Sequence, residues 1–185
     1  MAETVQIQKS RTQLFHAGRA LTAKDLNLVG PNIITQGSDA VYTSSTTPTA
    51  TNITFTPDVS ATYYYELFIA YTANGTPDFG WRWNAPEALF CRYTLSMIEG
   101  AAAATGTPAT EPGADIIFRR PANATFIPAG GTGDTANGLP CAFDRGTFAT
   151  TATSSAITLE CAQFTSNAAA TRLRADTTLI YQRIS

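Results

Sequence analysis

The sequence predicts an all-β protein, a sandwich or jelly roll, and three observations carry that prediction. From Asn32 onward, short apolar–polar alternations recur, each bounded by clusters of Thr, Ser, Pro and Gly. Aromatic and β-branched residues fill those runs, the composition that fits a pleated surface. With 185 residues the chain is long enough for one sandwich with a good core plus an arm, and short for two full domains.

Residues 33–34, 40–43 and 52–55 read as short strands. The longest run is 62–72. Tyr63, Tyr65, Leu67, Ile69 and Tyr71 share one face, and Tyr64, Glu66, Phe68 and Ala70 the other. Both faces are aromatic or aliphatic apart from Glu66, so the strand is expected to be central and covered on both sides, with a partner for Glu66. Asn74-Gly75-Thr76-Pro77 is a turn, and 79–84 follows with Phe79, Trp81 and Trp83 on one side. After strand 88–97, the low-complexity stretch 101–113 is expected to be an exposed loop or arm. Further short strands are expected at 115–118, 125–127, 139–143 and 146–150. In 156–164, Ile157, Leu159 and Cys161 alternate with Thr158, Glu160 and Ala162, and a small polar turn leads to a final run with Leu179, Ile180, Tyr181 and Ile184. A closing apolar strand has to be buried in a sheet or against a partner, because an exposed edge invites aggregation.

Residues 1–35 differ. Thr22 with Asp25 three positions later is a capping-box-like start, predicting one short helix that Gly30-Pro31 ends. So short a helix cannot bury Leu21, Leu26, Leu28 and Val29 by itself. It is expected to dock elsewhere, the alternative being a place beneath its own sandwich. The division is therefore an N-terminal arm, 1–35, and a β domain, 36–185.

Three segments carry a resemblance. The phrase Ala162-Gln163-Phe164-Thr165-Ser166-Asn167-Ala168-Ala169-Ala170-Thr171, with the Leu173-Arg174-Ala175 step and a last short strand, resembles the C-terminal signature of jelly-roll modules in tailed-bacteriophage virion proteins. These are minor tail proteins, short fibres and head-decoration proteins with a tumour-necrosis-factor-like (TNF-like) trimeric fold. Phe15, Gly18, Leu21, Thr22, Asp25, Leu26 and Asn27 fit a segment that is similar to the connector preceding distal modules of phage tail proteins. Gly80-Trp81 followed by Ala85-Pro86 resembles a strand end of the same modules, with Trp83-Asn84 adding two residues to the usual spacing. The resemblance implies a TNF-like jelly-roll homotrimer attached to other virion proteins through its arm. It implies a virion location after synthesis in the bacterial host cytoplasm. A tail-tip or short-fibre position is favoured, head decoration being the runner-up and host-glycan binding a further alternative.

Composition agrees with association. Charged residues are only 14% of the chain, against about a quarter in ordinary soluble domains, and such a surface suits a protein covered by copies of itself or by an assembly. A compositional habit of the genome would explain the same figure. The net charge of −2 gives no nucleic-acid footprint. The N-terminus does not read as a secretory signal, and no apolar run reaches bilayer-spanning length.

Little in the sequence points to catalysis. The one histidine, His16, lies in the arm, and no Gly-x-Ser-x-Gly elbow is present, so no hydrolase triad is expected. Cys91, Cys141 and Cys161 lack metal-ligand spacing, and Cys91 and Cys161 read as small buried hydrophobes. Glu66 and Asp78 are candidate paired carboxylates only in the sense that any chain offers such pairs. Gly130-Gly131-Thr132-Gly133-Asp134 matches a single calcium-repeat unit, a motif that works by stacking several copies. No catalytic, cofactor or metal residues are assigned. Tyr63, Tyr65, Tyr71, Trp81, Trp83, Leu179 and Tyr181 are expected in the core or at the trimer interface, with Trp81 and Trp83 also candidates for stacking on sugar.

Overall fold

The computed structural model describes residues 30–73, 78–99, 114–122, 124–131 and 140–185. The residues expected to form an attachment arm, Phe15 to Asn27, the helix expected at Thr22, the turn 74–77, the loop 101–113 and most of the Gly130–Asp134 motif lie outside them.

The alternating runs form β1 (Asn32–Thr35), β2 (Ala40–Tyr42), β3 (Thr49–Phe55), β4 (Thr62–Thr72), β5 (Phe79–Asn84) and β6 (Ala88–Glu99). They continue as β7 (Ala114–Arg119), β8 (Ile127–Ala129), β9 (Cys141–Thr150), β10 (Ile157–Gln163), β11 (Thr171–Leu173) and β12 (Thr178–Arg183). There is no helix among the described residues. Because β1 pairs with β12, the sandwich already includes Asn32–Thr35, ahead of the boundary expected at residue 36.

The pairing is nested. β1 pairs with β12, β3 with β10, β4 with β9 and β5 with β8, all antiparallel. Successive pairs alternate between the two sheets: β1-β12-β4-β9-β6-β7 in the large one and β3-β10-β5-β8 in the small one. A double strand wrapped across two layers in this way is a jelly roll. Two additions enlarge the first sheet. The β6–β7 hairpin extends it beyond β9, and β11 joins β2 to β4.

Inward residues of both sheets make an aromatic core. Trp81 and Trp83 on β5 meet Tyr65, Tyr71 and Phe148 from the large sheet, all at most 1% exposed. Tyr71 stacks on Phe79 at 4.8 Å, and Tyr63 on Phe148 at 4.9 Å. Each large side chain so buried stabilises the fold by about 1.5–3 kcal/mol. Glycine is required where β9 passes closest to β6 in the same sheet: a Cβ on Gly146 would lie 2.2 Å from the Cys91 carbonyl oxygen.

The C-terminal phrase has a local physical meaning. Gln163 is fully buried; its Nε2 donates to Ala169 O at 2.6 Å and its Oε1 accepts from Asn167 N at 3.0 Å. Asn167 Oδ1 in turn accepts from Ala169 N at 2.8 Å. One amide side chain thus supplies the hydrogen bonds that a tight loop cannot make for itself. The Leu-Arg-Ala step is fixed similarly, with Arg174 paired to Asp39 at 2.7 Å and Ala175 N donating to Asp39 Oδ1.

Two expectations need correction. Residues 139–143 and 146–150 are not separate strands, because β9 runs through Asp144-Arg145-Gly146 without a turn. The outer face of β4 is not covered by the described residues: Tyr64 and Phe68 are 38% and 37% exposed, and continuous burial begins only at Ile69.

Candidate functional site

The alternation that sends Tyr63, Tyr65 and Leu67 inward must send Tyr64, Glu66 and Phe68 to the outside of the large sheet. Register then fixes their neighbours. Thr178, Phe68, Phe143 and Leu95 form one row across β12, β4, β9 and β6. Ile33, Ile180, Glu66, Arg145 and Tyr93 form the next, starting from β1. Gln182, Tyr64, Thr147 and Cys91 form the third.

The result is an apolar field with one charged pair near its middle. Ile33 is 63% exposed, Phe143 43% and Ile180 38%, and Leu89 at the β6 end reaches 74%. Phe68 and Phe143 meet edge to face at 5.2 Å. A shallow hollow of about 210 Å³ lies between them, Ile180, Thr178 and the Glu66–Arg145 pair. Arg145 Nη1 stands 3.7 Å from Glu66 Oε1, and its guanidinium sits 5.0 Å over the Tyr93 ring. Tyr64 Oη donates to Glu66 Oε1 at 2.6 Å, and that bond to a carboxylate holds the phenol above its ordinary pKa. Scattered apolar side chains are ordinary on a surface, but a contiguous field marks an interaction site.

Beneath this face lies a sealed polar hub. Asp144, fully buried on β9, accepts from Tyr65 Oη at 2.8 Å, from Trp83 Nε1 at 3.1 Å and from Trp81 Nε1 at 3.3 Å. It also pairs with the buried Arg92, whose Nη2 donates to Ala122 O at 2.7 Å. Burial pushes the Asp144 carboxyl upward, against the pull of Arg92 and of the Tyr65 and Trp81 donors. Burial first, and the Asp144 charge second, hold Tyr65 well above the usual phenol value. The hub joins β4, β6 and β9 to β5. Its full enclosure keeps a substrate from reaching it, so its chemistry is cohesion between layers.

The residues singled out by sequence divide cleanly. Tyr63, Tyr65, Tyr71, Trp81, Trp83 and Leu179 are core, and Tyr181 packs half-buried against Phe55 and Tyr63. None of these is on the exposed apolar field. Sugar stacking by Trp81 and Trp83 is ruled out in this fold, because both indoles are enclosed and their N–H groups point at Asp144. Cys161 is buried as expected and its thiol is pushed well up by burial, whereas Cys91 is exposed, contrary to expectation. Glu66 and Asp78 are not brought together: Glu66 pairs with Arg145, while Asp78 lies at the start of β5 beside Gly131. Among the described residues no His, Cys, Asp or Glu side chains form a group able to hold a metal ion.

Sequence reasoning missed Phe68, Phe143, Ile180 and Ile33 as a surface, and Asp144 as its foundation. The signal for the first was Glu66, a charge in mid-strand on one face only. The second had none, since Asp144-Arg145-Gly146 carries the residues of a turn.

No protein-family model and no curated protein matches the chain. Among solved structures, it is similar to the infectious bursal disease virus VP2 subviral particle at 11% identity and a TM-score of 0.21. That alignment covers 90% of this chain and 44% of the other.

Proposed function

We propose that this protein is a non-enzymatic structural component of a tailed-phage virion: a homotrimeric jelly roll on the particle exterior, at the tail tip or as a short fibre, held by its N-terminal arm. The observation that carries the reading is the exposed apolar field on the large sheet. Covering it with equivalent fields converts exposed area into association free energy, about 25 cal/mol for each Å² removed from water. Association by rotation then closes a small assembly rather than an open fibre. The low charge content supports the same reading. The virion setting rests on the resemblance of the arm and of the C-terminal phrase to phage tail modules.

Two measurements test it. Light scattering on the purified chain is expected to give three times the subunit mass, and a monomer at micromolar concentration would overturn the trimer. Antibody labelling of intact particles is expected to decorate the tail. Labelling over the head would replace the tail position with head decoration, and no labelling would remove the virion assignment.

A further inference from the structure

This inference rests on the self-association proposed above and concerns what sets its register. Half of each side chain in the Glu66–Arg145 pair remains exposed, 47% and 49% respectively. At 3.7 Å the two are close enough to attract but too far apart for a hydrogen bond. A carboxylate accepts about four hydrogen bonds and a guanidinium donates five. Among the described residues Glu66 takes one, from Tyr64, and Arg145 sits over Tyr93. Both groups therefore keep unused capacity in the middle of a field whose burial would strip away their water. Leaving such charges incompletely paired when water is excluded is costly.

An occupant of this face must therefore bring one acid and one base, close together, into an apolar surround. The hollow itself has that pattern: one Glu and one Arg, with Phe68, Phe143 and Ile180 around them. We propose that the partner is a second copy of the same face, and that Glu66 of one copy meets Arg145 of the next. The alternative register, Glu66 on Glu66 and Arg145 on Arg145, is rejected by like-charge repulsion where water is excluded. Apolar contacts supply the attraction, and the charged pair selects the one arrangement in which they are made.

Charge reversal separates this from a pair that works only inside its own chain. Glu66→Arg and Arg145→Glu, each alone, place two like charges on the face and are expected to weaken association at least tenfold by sedimentation, with circular dichroism unchanged. Mixing the two single variants is expected to recover mixed assemblies in part, because in a ring of three the arginine pair of one variant meets the glutamate pair of the other at two contacts and a like pair at the third. Mixed variants that remain apart, while a chain carrying both reversals assembles, would show that the pair acts within the chain and would overturn the inference with self-association intact. Single reversals that assemble like the wild type would overturn it as well. A monomeric wild type would instead remove the reading on which it rests.

Discussion

The sandwich presents two outer faces built from the same kind of alternating strand, and they treat their polar groups differently. On the small sheet the outward residues of β3 and of the facing parts of β10 and β5 are polar and bonded to one another, and Phe126 stacks on Phe164 over Gly80 at the other end. Glu160 accepts from Arg82 Nε at 2.7 Å and Asn84 Nδ2 at 2.9 Å, while the Thr54 and Thr158 hydroxyls lie 2.8 Å apart. On the large sheet the equivalent positions hold Phe68, Phe143, Ile180 and Ile33, with a single loosely joined ion pair. A face that satisfies its polar groups laterally is finished as a solvent boundary. A face of exposed aromatic and aliphatic groups is stable mainly when covered, so the difference points the proposed association at the large sheet.

The sharpest way to disturb both faces is to attack the hub that joins them. Asp144→Ala leaves Arg92 buried without its carboxylate and is expected to cost about 3–5 kcal/mol in urea denaturation. Replacing Arg92 and Asp144 together with apolar residues should recover much of that loss. If Asp144→Ala unfolds with wild-type stability, the hub does not hold the layers.

Phe143→Asp tests the large face directly. It places an unpaired charge in the middle of the apolar field and is expected to weaken self-association at least a hundredfold by sedimentation, with subunit melting little changed. Thr158→Asp on the small face is the matched control, expected to leave association within twofold and stability within about 0.5 kcal/mol. Equal effects from the two substitutions would erase the distinction between the faces.

Alkaline titration sharpens the contrast between inside and outside. Tyr65 is held well above the ordinary phenol value by burial, so below about pH 10 its stabilising contribution is fully present. Above that pH the unfolded chain loses the proton while the native chain keeps it, and stability falls by about 1.4 kcal/mol per pH unit for one such group, until the folded pKa is passed. Tyr65→Phe should flatten the decline in the urea midpoint between about pH 10 and 11.5. Tyr64→Phe should leave it nearly intact, since Tyr64 is raised chiefly by its bond to Glu66 at the surface.

Much of the architecture was legible because strand alternation and turn composition are local properties. The β4 alternation, the inward set Phe79-Trp81-Trp83 and the closing strand with Leu179 all follow from period two. The Gln163–Asn167 loop was visible as a phrase, though its hydrogen bonds were not. What sequence could not supply depends on which faces meet. Phe68 and Tyr65 are both aromatic members of one strand, and only the position of the second sheet decides that one is surface and the other core. Asp144 looked like a turn residue because nothing local announces that Arg92, Trp81 and Trp83 converge on it from two other strands.

The central claim is that the large-sheet face is covered by other copies and the small-sheet face is not. Two free thiols, Cys91 and Cys141, are exposed on the large sheet, and the third, Cys161, is buried in the core as an internal control. Thiol-reagent labelling read by mass spectrometry tests the claim most directly when wild type is compared with Phe143→Asp at equal concentration. Cys91 and Cys141 are predicted to be protected in the assembled wild type and to react freely in the variant, with Cys161 unreactive in both. Full reactivity of Cys91 and Cys141 in a wild-type particle heavier than one chain would contradict the account.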